Sequence, residues 1–133
     1  MPPPSYSKGE VMGYRSEVVF VIEKEVVPLF IAHIAENTAA QNFCFKEADY
    51  HTKDYMSNGH WLFMWSHVKW YDSYPEIQAI TSFTNERLQN LPDGWASDPE
   101  EYYRLVILGE DVDDNQVHGW AFDHIYIQRS ISI

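Results

Sequence analysis

The run Ser-Glu-Val-Val-Phe-Val-Ile-Glu at positions 16–23 has no hydrophilic side. Its β-branched and aromatic residues read as a strand. Strand geometry sends Val18, Phe20 and Ile22 one way and Val19 and Val21 the other. A strand that is apolar on both faces has to lie inside a sheet and be covered on both sides. The remaining elements are therefore read for what could flank and cover it.

Lys24 to Asn37 predicts a helix, with Pro28 in its first turn, where a missing N–H costs little, and Asn37 as its stop. Asn42–Lys46 reads as a short strand, and Glu47–Gly59 as a polar loop or ragged strand pair. His60–Trp70 reads as a strand in which Trp61, Phe63 and Trp65 alternate with Leu62, Met64 and Ser66. Ser73-Tyr-Pro-Glu76 has a capping-box pattern and opens a second helix that ends at Leu91-Pro-Asp-Gly94. Glu101–Gly109 is the next strand. Glu110–Gly119 forms an acidic turn, and Trp120–Ile133 is expected as one long final strand.

The predicted order is β-α-β-β-α-β-β. Short links between neighbouring strands favour antiparallel hairpins. The expected fold is α+β: a two-layer sandwich with a mostly antiparallel sheet of about five strands and two helices on one face. A ferredoxin-like arrangement with an added strand is one form of it. Residues 1–12, with three consecutive prolines, read as a flexible tail, and 13–133 as a single domain.

Composition limits the function. Acidic residues number 20 and basic residues 9, for a formal charge of -11. Residues 98–133 alone hold 8 acidic and 2 basic residues. Such a surface repels phosphate backbones, so direct nucleic-acid binding is not expected, whereas a basic protein partner suits it. No apolar run approaches the roughly 18 residues of a membrane helix, and no membrane association is expected. Cys44 is the only cysteine and lies between two phenylalanines, so it reads as a buried apolar residue rather than a nucleophile. There is no phosphate-binding glycine loop and no nucleophile elbow. No cofactor, metal or catalytic residue is expected.

Three further features invite a chemical reading. The spacing Asp111-x-Asp113-x-Asn115 resembles the start of a calcium loop, but Gln116 and Phe122 stand where that loop needs Gly and Glu. Among His33, His51, His60, His67, His118 and His124, no pair has metal-ligand spacing. A pocket formed by His51, His60, Asp49 and Asp54 is the alternative expectation, for a small-ligand binder or enzyme. The aromatic stretch through Trp70, Tyr71 and Tyr74, together with Glu110, Asp111, Asp113 and Asp114, gives the leading expectation: aromatic anchors set among carboxylates.

Four collinear segments carry a resemblance. They are Met12-Gly-Tyr-Arg-Ser-Glu-Val18, Val68-Lys-Trp-Tyr-Asp-Ser-Tyr-Pro75-Glu-Ile-Gln-Ala79, Leu108-Gly-Glu-Asp-Val112 and Tyr126-Ile-Gln-Arg-Ser-Ile131. Together they resemble a group of small tailed-bacteriophage accessory proteins. The resemblance implies a phage-encoded protein in the host bacterial cytoplasm and transfers no catalytic residue. By analogy with small acidic phage proteins, it implies binding and inhibition of a host protein, such as a restriction, CRISPR or other nucleic-acid-processing enzyme. A self-assembling phage component is a further alternative. In that case the long final strand would pair across a homodimer axis.

Overall fold

The structure is a computed structural model, and it describes residues 14–111, 113–128 and 131–133. The expected tail at 1–12 lies outside them. β1 (Ser16–Ile22) is followed by a short 3-10 turn and by α1 (Val27–His33) and α2 (Thr38–Phe45). Then come β2 (Tyr50–Tyr55), β3 (His60–Val68), α3 (Pro75–Ser82), β4 (Tyr103–Leu108) and β5 (Asn115–His118). A two-residue pair, β6 (Tyr126–Ile127) and β7 (Ile131–Ser132), closes the chain.

The main sheet has the order β2-β3-β1-β4-β5, and every pairing is antiparallel. β1 occupies the centre, as its two apolar faces require. The first four strands have the order of a split βαβ, ferredoxin-like sheet, and β5 is the added strand at one edge.

On one face Val18, Phe20, Ile22, Phe63, Trp65, Leu105 and Ile107 pack with Phe30 of α1, Phe43 of α2 and Ile77 and Ile80 of α3. Aromatic rings dominate this layer. Phe30 meets Phe83 edge-on at 5.1 Å, and Phe43 stacks on Trp65 at 4.4 Å. The buried indole N–H of Trp65 donates to the Phe43 carbonyl at 3.0 Å. Tryptophan is admitted to a core when its polar atom is satisfied in this way.

The other face is closed differently. Val19, Val21, Leu62 and Val106 are sealed by Ile125, with Phe122, Ile127 and Ile131 packed around them. The final strand expected at 120–133 does not form. After β5 the chain reverses at Gly119 (φ +79°), where a β-carbon would run into the Tyr103 carbonyl. Residues 120–128 then cross the sheet as a strap. Arg104 holds them there, its Nε donating to the Ile125 carbonyl and a terminal nitrogen to the Gly119 carbonyl, each at 3.0 Å. The alternation of isoleucines reflects this apolar cover rather than a strand. Self-assembly through a long final strand therefore loses its structural basis.

Three local assignments are sharpened or corrected. Asn42–Phe45 belongs to α2 and Lys46 is its C-cap, because Asn37 does not end a helix but caps this one, its side chain accepting the Ala40 N–H at 3.0 Å. The strand pairing with β3 lies at 50–55, within the stretch read as a loop or ragged strand pair. At the third helix Tyr74, not Ser73, occupies the cap position, and Pro75 sits in the first turn.

Replacing Arg104 with Ala should lower stability by about 2 kcal/mol, because two charge-assisted hydrogen bonds are lost. Amide exchange should quicken at residues 120–127 while β1 and β4 stay protected. Uniform loss of protection would show that the strap is not a separate unit.

Candidate recognition surface

Antiparallel pairing decides which segments meet at the ends of the sheet. Ser16 pairs with Val68, and Glu17 with Leu108. The segment after β3, residues 69–74, and the acidic turn after β4 therefore emerge at the same end. Trp70, Tyr71 and Tyr74 thus belong to the same end of the sheet as Glu110, Asp111, Asp113 and Asp114, although about forty positions separate them in sequence.

Tyr14 joins the two segments. Its hydroxyl donates to Asp114 Oδ2 at 2.6 Å and accepts the Asp111 N–H at 3.1 Å. Its carbonyl accepts the Tyr71 hydroxyl at 3.2 Å. The Arg15 N–H donates to Glu110 Oε1 at 2.6 Å. Burial, and secondarily its contact with Asp114, raise the Tyr14 phenol above its ordinary range, which keeps it a neutral donor. Burial likewise raises Glu17 at this end. The turn is thus fixed by hydrogen bonds and is not a loose hairpin tip. Glu110, Asp111 and Asp113 remain exposed, and Asp72 adds a further exposed carboxylate from the opposite segment.

The aromatic part of the expectation is modified. Tyr71 is only 9% exposed; its ring lies 5.1 Å from that of Tyr74 and its hydroxyl seals against Tyr14. Trp70 is half-buried against Phe43 and Trp65, and Tyr74 is half-buried against the same core. Tyr71 braces the acidic turn through Tyr14, whereas Trp70 and Tyr74 pack on the helix-covered core. The exposed aromatics among the described residues are Tyr50, Tyr126 and Trp120, and Trp120, 50% exposed beyond β5, is the one bonded to a carboxylate. Its indole N–H donates to Asp98 Oδ2 at 2.7 Å, and its backbone N–H to the Glu100 carbonyl at 3.1 Å. It is a fixed, carboxylate-bordered indole. The adjacent Gly119-Trp120 inside an acidic segment was its only trace in the sequence.

The expected His/Asp pocket does not assemble. His51 packs on Phe63 and Phe45 on the helix-covered face, whereas His60 meets Phe122 on the strap-covered face. Asp49 accepts the Ser66 N–H, and Asp54 accepts the Gly59 N–H. Among the described residues, no group of three His, Cys, Asp or Glu side chains is placed to hold a metal ion. Cys44 is fully buried, which pushes its thiol up to about 12, as expected of a packing residue.

A polar groove of about 490 Å³ lies between α1 and α3, lined by His33, Asn37, Gln78, Ser82 and Glu86 among others. His33 Nε2 is 2.9 Å from Ser82 Oγ and 3.0 Å from the Ala79 carbonyl. A carbonyl only accepts, so Nε2 carries a proton and cannot take one from the serine. The pair is a clamp between helices, not a nucleophile with its base.

No family model, curated protein or solved structure matches this chain. Its chemistry has to be read from its own surface.

One titrating cluster lies at the opposite end of the sheet. His60 Nδ1 accepts the Lys24 N–H at 3.0 Å, so that nitrogen is unprotonated. Glu23 Oε2 stands 3.5 Å from it. Burial, then hydrogen bonding to Glu25, raise Glu23 to about 6. The imidazole is lowered by burial first. The close approach is therefore that of a neutral imidazole and a carboxyl that readily protonates, not an ion pair. With its pKa raised on folding, Glu23 stabilises the fold fully below pH 4.5 and loses that contribution as pH rises through about 6. His60 acts in the opposite sense, its contribution being complete above 6.5 and lost on acidification. Glu23→Gln should raise stability at pH 7 by on the order of 1 kcal/mol after solvent screening. It should also flatten the profile between pH 4.5 and 6. An unchanged profile in thermal melts would place the proton elsewhere.

Proposed function

We propose that this chain acts by recognition, docking a basic protein partner against its acidic surface. The observation that carries this reading is that Asp72, in the segment after β3, and Glu110, Asp111 and Asp113, on a turn held by Tyr14 and Arg15, all lie at one end of the sheet. Exposed like charges repel one another, although Glu110 and Asp114 also accept hydrogen bonds that brace the turn. Their concentration on a hydrogen-bonded scaffold suits a partner that brings the opposite charge. Fixed carboxylates favour fast, salt-sensitive association and exclude acidic competitors. Trp70 and Tyr74 offer half-buried aromatic area beside them.

The phage resemblance supports a host protein as that partner. Enzymes that handle nucleic acid carry basic surfaces, and an acidic protein competes for them with phosphate backbones. On this reading the chain is a phage accessory protein that blocks or modulates such an enzyme in the bacterial cytoplasm. No helix among the described residues is long and apolar enough to cross a membrane.

The test is affinity capture from a bacterial host lysate, followed by kinetics with the captured partner. Neutralising Asp72, Asp111 and Asp113 to asparagine should slow association about tenfold at low salt and flatten its salt dependence. Neutralising the exposed Glu36, Glu47 and Glu86 to glutamine, the same number of charges, serves as the control and should have little effect. Equal effects from both sets would mean that net charge alone matters, and the proposed surface would be wrong.

A further inference from the structure

The two edges of the sheet are built differently. β2 carries Lys53 and Asp54, and its pairing with β3 shifts register between Thr52 and Tyr55. Charges and irregular pairing are devices that discourage an additional strand. β5, Asn115-Gln-Val-His118, has no Lys, Arg, Asp, Glu or Pro and pairs with β4 without a register shift. All four of its residues are exposed.

The phase of the ladder fixes where the β5 backbone points. The Gly109 N–H donates to the Asp114 carbonyl at 2.8 Å, in register with the β4–β5 pairs. Hydrogen-bonded and non-bonded pairs alternate along antiparallel strands. The Ile107–Gln116 and Leu105–His118 pairs are therefore bonded, and Val106–Val117 is not. The Val117 N–H and C=O point away from β4, toward solvent. Its side chain lies on the same sheet face as Val106 and is 47% exposed. Acidic residues bracket this edge: Asp111 and Asp113 just before it, and Asp98, bonded to Trp120, just after it.

Resting on the reading of this chain as a recognition protein for a basic partner, we infer that β5 is the docking edge. The partner supplies an extended segment that pairs as a sixth strand. The Val117 main chain makes the central hydrogen bonds, and an apolar side chain of the segment covers Val117. The four residues of β5 span about 13 Å, so a lysine or arginine at each end of the segment reaches one acidic group. Toward the turn these are Asp111 and Asp113; toward Trp120 it is Asp98. A second copy of the chain is a poorer occupant. Antiparallel pairing of β5 with itself sets the acidic turn of one copy against Asp98 and Glu100 of the other.

The probe is a short peptide of alternating threonine and valine with two lysines at each end. Titrated into the intact chain, it should shift the amide resonances of Asn115–His118 most. Methylating alternate peptide nitrogens, which removes donors and leaves charge intact, should weaken binding about tenfold. Val117→Pro removes the outward N–H without touching the ladder to β4 and should weaken binding similarly, with the fold checked by circular dichroism. The methylated peptide provides the same test on the unaltered protein. Equal affinity of methylated and unmethylated peptides would overturn strand pairing yet leave a charge-based recognition surface standing. Failure of both peptides, with the host partner still bound through Asp72, Asp111 and Asp113, would overturn the docking edge alone. Dimerisation in sedimentation that is abolished by Val117→Pro would assign the edge to a second copy and overturn the inference.

Discussion

A strand without a polar face dictates this architecture. Val18, Phe20 and Ile22 on one side of β1, and Val19 and Val21 on the other, are fully buried. Burying such side chains contributes about 1.5–3 kcal/mol each, and that gain needs cover on both faces. The helices provide one cover. Only a strap of mostly irregular backbone provides the other, so its cohesion depends on side-chain hydrogen bonds where a strand would use a ladder. Arg104 bonds the Ile125 carbonyl within it and the Gly119 carbonyl at its entry, and the Tyr55 hydroxyl adds a contact to His124 Nε2 at 2.8 Å. The strap also accepts local strain. Phe122 adopts a left-handed conformation (φ 55°), a cost of roughly 1–2 kcal/mol that is met by packing its ring on His60 and Tyr55.

The same central strand organises the surface. Its antiparallel neighbours return their exits to its starting end, so the acidic turn and the segment after β3 emerge side by side there. Tyr14, just ahead of β1, lies between them and bonds both. A tyrosine suits this place because its hydroxyl donates to one acidic residue and accepts from the backbone of another. The cluster of carboxylates is thus a consequence of topology combined with one well-placed phenol, and it leaves the core untouched.

Much of the fold was legible because burial writes a period into sequence. The two faces of β1, the alternation of Phe63 and Trp65 with Leu62, and the helix opened by Pro75 all follow from spacing alone. The short apolar run Asn-Phe-Cys-Phe at 42–45 was ambiguous because helix and strand patterns coincide over four residues. Its cap, Asn37, was visible but was read as a stop, since asparagine serves at either end of a helix. The strap mimicked a strand because it lies on an apolar surface, and packing selects isoleucine whatever the backbone does. The candidate surface was half legible. The acidic turn is plain in sequence, but Tyr14 and the Trp120–Asp98 pair depend on long-range contacts that no local pattern encodes.

Breaches of ordinary rules are distributed unequally between the two ends of the sheet. At one end stand the left-handed Met56, Ser57 and Phe122, the easily protonated Glu23 and a histidine whose pKa burial lowers. Met56 and Ser57 make the tight turn between β2 and β3, and Phe122 meets His60 where the strap covers the sheet. The other end shows no left-handed residue among those described, and its cost is electrostatic. Asp72, Glu110, Asp111 and Asp113 are held together where charges dispersed over the surface would keep the chain equally soluble. Turn geometry and packing account for the backbone costs at the first end. Neither requires carboxylates to gather at the second, whereas recognition of a basic partner does.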